Sequence, residues 1–178
     1  MIEFVPIDIT LHKNKLVELN TQYLSWIAEQ LMEYYSIDLI SILGKSIHQY
    51  AIESVDKFVS FLPPEGFYYI LQVEGKIAGM GALRKLYDNI GEIKRMYIKP
   101  EYRGKGLGKV MLKKLLKRGS EYGYSLIRLD TGPFMTAAQH IYCLAGFKVR
   151  DEYPESEVPQ EFRDIWLYME KKVHVNNR

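Results

Sequence analysis

The sequence predicts a single domain of the α+β class, with mixed α/β character, built on one mostly antiparallel sheet. The 178 residues are 47% hydrophobic, which gives one ordinary domain enough apolar surface for a full core. In the middle of the chain, short strand-like segments follow one another with only turn residues between them. Helical patterns lie before and after this meander instead of following every strand, which argues against a doubly wound sheet.

The N-terminal part of the chain predicts one strand and two helices. IEFVPID alternates apolar and polar residues, and Pro6 confines this first strand to a sheet edge or an irregular position. Thr10 is a candidate cap for a helix in which apolar residues recur at helical spacing from Leu11 to about Tyr35. A second helix is predicted over roughly residues 46 to 60, where two prolines and a glycine then end it.

The rest of the chain contains six further strand-like segments. Together with the first strand they predict a sheet of about six to seven strands. FYYILQV and IAGMGALRKL form a hairpin around EGK, and GEIKRMYIKP is a strand that Pro100 stops. There follow a glycine-rich loop and then VMLKKLLKRGSEYGY (helix), SLIRLD (strand), TAAQHIYCLAG (short helix), FKVRDE (strand) and RDIWLYMEK (strand). We predict that the domain spans residues 1 to 172 and that residues 173 to 178 are a frayed tail.

Composition excludes several classes of function. The 24 basic and 22 acidic residues give a net charge of +2, so a nucleic-acid partner is not indicated. A basic binder built on RGKGLGK and KKLLKR is a weak alternative, because no stacking aromatic residues are interleaved there. A single cysteine, Cys143, excludes a disulfide framework and a cysteine-based metal site, and no metal is predicted. Neither a signal peptide nor a membrane span is recognisable, so we expect a cytoplasmic protein that does not bind a membrane.

The stretch YRGKGLGKVM, residues 102 to 111, suggests an anion-binding loop. A nucleotide P-loop would need glycine at position 103 and Ser or Thr at position 110, where the chain has Arg103 and Val110. A dinucleotide fingerprint fails as well, because neither register brings a glycine to its third position. What remains is Arg103-x-x-Gly106-x-Gly108 before a helix, a pattern that lets backbone amides converge on a pyrophosphate. The alternative is a flexible turn with solvated lysines.

Three parts of the sequence together resemble the GNAT superfamily of acyl-CoA-dependent N-acetyltransferases. They are the strand IKRMYIKP, the R-x-x-G-x-G loop and a downstream A-x-x-x-Y-x-x-x-G-F segment formed by Ala138, Tyr142, Gly146 and Phe147. The likeness spans about residues 66 to 150. It implies a central, twisted, mostly antiparallel sheet of about six to seven strands with helices on both faces, and acetyl-CoA as co-substrate without a metal.

The resemblance also implies where the co-substrate binds. The backbone of Met96 and Ile98, on either side of Tyr97, would pair with the pantetheine arm as an added strand does, and Ala138 would contact the co-substrate. The pyrophosphate would be wrapped by backbone amides of the loop, namely those of Arg103, Gly104, Lys105, Gly106, Gly108 and Lys109. The side chain of Arg103 would add charge, and Lys105 or Lys109 would reach the 3′-phosphate.

For the chemistry, the resemblance implies direct attack of an amine on the thioester, with Tyr142 as the general acid beside the sulfur and the Met96 amide facing the oxyanion. Glu92 is our candidate for the base, although an exposed strand-end glutamate, or a water chain in place of a base, is an open alternative. Strand alternation puts Glu92, Lys94 and Met96 on one face and Arg95 and Tyr97 on the other, unless a bulge near the co-substrate shifts the parity.

The acceptor is the least determined part of the prediction. We expect a primary amine of a small molecule or a protein, which the acidic segment at residues 150 to 164 would attract if the amine is cationic. Met135 stands where many relatives have an asparagine that binds the co-substrate arm, and Cys143 is predicted to be a buried structural thiol. A non-catalytic acyl-CoA-binding sensor or docking module is the alternative function, and a homodimer is left open.

Overall fold

A computed structural model describes residues 1–174, except for the side chains of residues 59 and 60. Its strands are β1 (Ile2–Pro6), β2 (Gly66–Val73), β3 (Lys76–Tyr87), β4 (Ile90–Ile98), β5 (Leu126–Thr131), β6 (Lys148–Arg150) and β7 (Leu167–Lys172). Its α-helices are α1 (Ile9–Tyr35), α2 (Leu39–Leu43), α3 (Ile47–Asp56), α4 (Leu107–Glu121) and α5 (Thr136–Leu144).

The strands form one seven-stranded sheet in the order β1-β2-β3-β4-β5-β7-β6. Every neighbouring pair is antiparallel except β4 and β5, which run parallel because α4 returns the chain across the sheet between them. The predicted α+β class and mostly antiparallel sheet are therefore confirmed. Strand β1 lies at the edge of the sheet, as Pro6 requires, since proline has no amide hydrogen to donate to a second neighbour.

Helices cover both faces of the sheet, as predicted. Phe67, Tyr69 and Leu71 of β2 point to one face, where they share a core with residues of α4 and α5. The intervening Tyr68 and Ile70 point to the opposite face and share a core with residues of α1 and α3. We call these the α4 face and the α1 face of the sheet.

Two helix boundaries differ from the prediction. Helix α1 begins at Ile9, and the side chain of Asp8 accepts a hydrogen bond from the Leu11 amide at 3.0 Å. Thr10 therefore lies inside the helix, and Asp8 is the cap. The helix predicted over residues 46 to 60 ends as an α-helix at Asp56 and continues as a 3₁₀-helix over Lys57–Phe61.

Helix α2 and the start of β7 were not predicted. Helix α2 has only five residues and is capped by Asp38, whose side chain accepts from the amides of Ile40 and Ser41. Strand β7 begins at Leu167, since a 3₁₀-helix over Gln160–Ile165 occupies the first part of RDIWLYMEK.

The chain stays paired beyond the predicted domain end at residue 172. The amide of Val173 donates to the carbonyl of Ser125 at 2.9 Å, whereas residues 175–178 of the predicted tail lie outside the described residues. Within residues 1–174, none of the helices combines the length and the apolar composition that a bilayer crossing requires.

Candidate active site

The sheet opens into a fork between β4 and β5. The two strands pair from Ile90 with Leu126 to Ile93 with Leu129, and their register ends there. Strand β4 continues to Ile98 with only β3 as its neighbour. Among the described residues, the β5-side edge of β4 therefore has no strand partner from residue 94 to residue 98. This is the strand edge to which the resemblance assigned the pantetheine arm.

A β-bulge at Arg95 lies at the mouth of the fork. Lys94 is opposite Ala82 and Tyr97 is opposite Met80, so β4 has one more residue than β3 over this interval. Arg95 has a φ of 56°, in the left-handed region. The bulge corrects the predicted alternation. Tyr97 belongs to the core of the α1 face, whereas Met96 packs against the core of the α4 face.

The glycine-rich loop leads from β4 into α4 and leaves the start of that helix without a side-chain cap. Gly104 and Gly106 have φ values of 73° and 76°, which are costly for other residues, and Gly106 is the N-cap of α4. No side chain of the described residues accepts a hydrogen bond from the first helical amides. This arrangement, with the positive end of the helix dipole, suits an anion such as a pyrophosphate.

The polar residues of this loop differ in what they contact. The Arg103 amide donates to the Pro100 carbonyl at 3.1 Å, so that amide is already used within the protein. The guanidinium of Arg103 donates from Nε to the Ile98 carbonyl at 3.0 Å and lies 5.2 Å from the ring centroid of Trp26. The Lys105 Nζ contacts the Glu101 carbonyl at 3.2 Å.

A cavity of about 310 Å³ lies beside the fork. Helices α1 to α3, the following 3₁₀-helix, α5 and the segment between β6 and β7 form most of its wall, which is largely apolar or aromatic. Its polar and ionisable lining residues are Tyr23, Tyr50, Ser54, Lys57, Lys94, Arg95, Asp130, Tyr142, Glu157 and Trp166. Of the residues predicted for the site, Met96, Ala138 and Tyr142 line this cavity.

Tyr142 reaches the cavity from the C-terminal half of α5, one turn after Ala138. Its side chain is 5% exposed, and its hydroxyl has no hydrogen-bond partner among the described residues. Burial raises the pKa of Tyr142, and the nearby Tyr23 and Asp130 raise it further. The phenol is therefore protonated at neutral pH. Its role as general acid stays a prediction.

Glu92 is part of a buried ionic cluster and does not line the cavity. The carboxylate is fully buried, accepts from Arg84 Nε at 2.6 Å and from the Tyr153 hydroxyl at 2.6 Å, and lies 3.8 Å from Lys94 Nζ. It is therefore not the exposed strand-end glutamate considered above. Burial and the Glu92 carboxylate raise the pKa of Tyr153, which keeps this donor protonated. The prediction that Glu92 is the base has no support from these contacts.

Asp130 is a cavity-lining carboxylate that the sequence analysis missed. It accepts from Lys94 Nζ at 2.9 Å and from Trp166 Nε1 at 3.1 Å. Burial alone would lower the pKa of Lys94, but Asp130, Glu92 and Glu157 outweigh burial and raise it, so Lys94 stays charged. A sequence signal existed: Ile127 and Leu129 alternate into the core, which places Asp130 on the opposite face at the end of β5.

The acidic segment at residues 150 to 164 borders the cavity, and three of its six acidic side chains form ion pairs with described residues. Glu157 pairs with Arg84 at 2.7 Å and lies 3.8 Å from Lys94, and Glu152 pairs with Arg163. This pairing weakens the expectation that the segment attracts a cationic amine. Within residues 1–174, no group of three or more His, Cys, Asp or Glu side chains is arranged to hold a metal ion.

Two further sequence interpretations concern α5. Met135 is the N-cap of the helix and lines the cavity, but its side chain makes no capping hydrogen bond. Cys143 is exposed, so the prediction of a buried thiol is wrong. Its neighbour Tyr142 takes the buried side of this short helix, and Cys143 is rotated about 100° from it.

Comparison with known proteins identifies related sequences and folds. The sequence pattern of the Acetyltransferase (GNAT) family matches residues 25–147. The N-acetylaspartate synthetase of Xenopus tropicalis is 36% identical over 86 residues, which are 48% of this chain and 32% of that protein. The chain therefore spans only about a third of that relative's length.

Two solved structures have a similar fold. The PaiA N-acetyltransferase of Thermoplasma acidophilum, in complex with coenzyme A, matches with a TM-score of 0.71 and 22% identity over 97% of this chain and 99% of that chain. A GNAT family acetyltransferase from Elizabethkingia anophelis with acetyl-CoA bound gives a TM-score of 0.53 and 20% identity over 68% and 82%. At these identities the likeness shows the fold alone.

Proposed function

Because the chain belongs to the acetyltransferase (GNAT) family, we propose that it transfers an acetyl group from acetyl-CoA to a primary amine of a small molecule or protein. One observation carries this proposal: the unpaired edge of β4 runs from the cavity that contains Tyr142 to the uncapped start of α4. Coenzyme A and acetyl-CoA, bound to the Thermoplasma and Elizabethkingia proteins respectively, support the same co-substrate here.

The two open features of the backbone match the two parts of the co-substrate. The amide-rich pantetheine arm would add to the edge of β4 at Met96 and Ile98, as a strand adds to a sheet. The pyrophosphate would bind the amides at the start of α4, which are those of Gly104, Lys105, Gly106, Gly108 and Lys109. Arg103 would contribute through its charge, because its own amide donates to Pro100.

In the proposed reaction the acceptor amine attacks the thioester carbonyl. A C–N bond forms, the C–S bond breaks, and the amine loses a proton. Tyr142 would donate its phenolic proton to the leaving thiolate, and the Met96 amide would face the developing oxyanion. Transfer needs the amine in its neutral form, so a proton acceptor must lie at the cavity.

Two carboxylates are candidates for that proton acceptor. Glu92 remains our sequence-based prediction, but Arg84 and Tyr153 already occupy its oxygens. Lys94 and Trp166 likewise donate to the oxygens of Asp130, but Asp130 lines the cavity and is close enough to Tyr142 to raise the pKa of its phenol, which favours Asp130. The variants Asp130→Asn and Glu92→Gln separate the two candidates. The base is the residue whose replacement flattens the rise of rate with increasing pH.

The first test of the function is acetyl-CoA binding by calorimetry, followed by thiol release with a panel of small amines and peptides. We expect saturable binding and release with at least one acceptor. Tyr142→Phe should lower turnover about 100-fold or more, the usual minimum for general acid catalysis, with acetyl-CoA affinity little changed. Tyr124→Phe is the matched control, because Tyr124 is equally buried but does not line the cavity.

The possible outcomes separate an enzyme from a binding module. An unchanged rate in Tyr142→Phe would remove this residue from the chemistry. Tight acetyl-CoA binding without transfer to any acceptor would favour the non-catalytic acyl-CoA-binding module. Absence of acetyl-CoA binding would reject both.

A further inference from the structure

Arg95 stands apart from most other arginines because it lines the cavity without a carboxylate partner. Among residues 1–174, the arginines that pair with Asp or Glu are Arg84, Arg118, Arg128, Arg150 and Arg163. Arg103 and Arg95 have no such partner in that part of the chain, and of these two Arg95 is the one that lines the cavity. Its guanidinium carbon lies 5.9 Å from the ring centroid of Phe58.

The backbone at Arg95 departs from the regular strand. Its φ of 56° costs a residue other than glycine about 1 kcal/mol or more, so glycine would be the least strained choice at this bulge. An arginine here brings a long cationic side chain to the cavity at some cost in stability. Backbone strain of this kind is concentrated at sites of function, which makes the side chain a candidate for ligand binding.

The other charged side chains around Lys94 are engaged with one another. Lys94 contacts Asp130 at 2.9 Å and lies 3.8 Å from Glu157, and Glu157 also pairs with Arg84. Neither carboxylate lies within ion-pair distance of Arg95. The positive charge of Arg95 therefore faces the cavity without a neutralising partner among the described residues.

Arg95, Asp130 and Tyr23 all line the cavity. Burial raises the pKa of Tyr23, while Arg95 lowers it and Asp130 raises it, so both charges act on this hydroxyl. Asp130 and Tyr23 also raise the pKa of Tyr142, whereas Arg95 has no such effect on it. Asp130, which is paired with Lys94, is thus the charged group that acts on Tyr142, whereas Arg95 lies at the bulge.

We propose that the acceptor is a small molecule that carries both the reacting amine and a carboxylate, and that Arg95 binds the carboxylate. The amine would lie at the end formed by Asp130 and Tyr142, and an apolar body would fit the aromatic and aliphatic wall. An arginine suits this task because its planar group binds a carboxylate through two parallel hydrogen bonds. This inference rests on the proposed function and narrows it to small acceptors.

The first experiment compares acceptors that differ only by the α-carboxylate. The pairs are L-phenylalanine with 2-phenylethylamine and L-leucine with 3-methylbutylamine, each assayed by thiol release from acetyl-CoA. We expect at least one carboxylate-bearing member to have a kcat/KM at least 10-fold above that of its partner. Arg95→Met should raise the KM for that acceptor at least 10-fold with a kcat changed less than 3-fold, and Arg95→Lys should be intermediate.

Arg118→Met is the matched control, since Arg118 pairs with Glu121 on α4 and does not line the cavity. A second readout does not depend on turnover: calorimetric binding of the same compounds to the protein saturated with coenzyme A. Tighter binding of a carboxylate-bearing member, lost in Arg95→Met but not in Arg118→Met, supports the inference even if no acetyl transfer occurs. Equal kcat/KM and equal binding within every pair, or binding that Arg95→Met leaves unchanged, would overturn it.

Discussion

Replacing Arg84 by methionine is expected to lower the free energy of unfolding by about 3 kcal/mol, because it leaves a buried carboxylate without its nearest cation. Glu92 is 0% exposed, and Arg84 Nε and the Tyr153 hydroxyl each donate to it at 2.6 Å, whereas Lys94 Nζ is 3.8 Å away. Removing one partner of a buried pair costs about 3–5 kcal/mol. The remaining contacts to Tyr153 and Lys94 place the expected cost at the lower end of that range.

The assay is urea unfolding at pH 7, followed by circular dichroism, with thermal unfolding as a second measure. For a chain of this size, a loss of about 3 kcal/mol corresponds to a fall in Tm of about 6–12 °C. The double variant Arg84→Met with Glu92→Met should recover most of the loss, because it removes both charges together. Lys85→Met, on the same strand but in an exposed pair with Asp88, should leave stability nearly unchanged. Two results would contradict this explanation: a free energy of unfolding in Arg84→Met as high as in Lys85→Met, or one in the double variant as low as in Arg84→Met.

Three further predictions concern the loop, the fork and the effect of pH. Gly106→Ala and Gly123→Ala impose similar backbone strain, at φ values of 76° and 88°, so each should lower the free energy of unfolding by about 1 kcal/mol. Calorimetry should show weaker acetyl-CoA binding only for Gly106→Ala. A Cβ at Gly79 would meet the carbonyl oxygen of Tyr97, so Gly79→Ala should displace β4, with a stability cost of about 1–3 kcal/mol in urea unfolding and weaker acetyl-CoA binding. Burial raises the pKa of Tyr124 from 10.0 to about 12. The contribution of Tyr124 to the free energy of unfolding is therefore complete below pH 10 and is lost as the pH rises toward 12. Tyr124→Phe should reduce the fall in the measured free energy of unfolding over that interval.

The sheet was predictable from the sequence because its turns are local. EGK joins β2 to β3 and the Asp88–Asn89 pair joins β3 to β4, so each hairpin is encoded within a short stretch. The helix boundaries were harder to predict, since Asp8 and Thr10 are both acceptable caps and only the backbone conformation decides between them. Helix α2 is too short to be stable alone and depends on burying Leu39 against the rest of the fold, which no local pattern reveals.

The site was predictable where one segment contains the signal and not where distant segments meet. The position of Tyr142 at the cavity followed from a motif confined to α5 and the residues just after it. The burial of Glu92 depends on Tyr153, which is 61 positions away, and on an arginine of the neighbouring strand. The pairing of Asp130 with Lys94 likewise joins β5 to β4 across 36 positions. Both are products of tertiary structure, so the roles of the carboxylates could not be read from strand alternation.

The bulge at Arg95 explains why that alternation fails in the middle of β4. An uninterrupted strand would turn Lys94 and Met96 to the α1 face and Tyr97 to the α4 face, whereas the extra residue puts Lys94 and Tyr97 together on the α1 face. Position 95 is neither glycine nor asparagine, the residues that most often adopt a left-handed conformation, so local propensity could not predict the bulge. The cause lies in the sheet, where β3 pairs with β4 on both sides of the bulge while β5 stops pairing at Ile93. One inserted residue thus combines three features. It lies where no described strand pairs with the β5-side edge of β4, and it moves Met96 to the other face. It also brings to the cavity a guanidinium that has no carboxylate partner among residues 1–174.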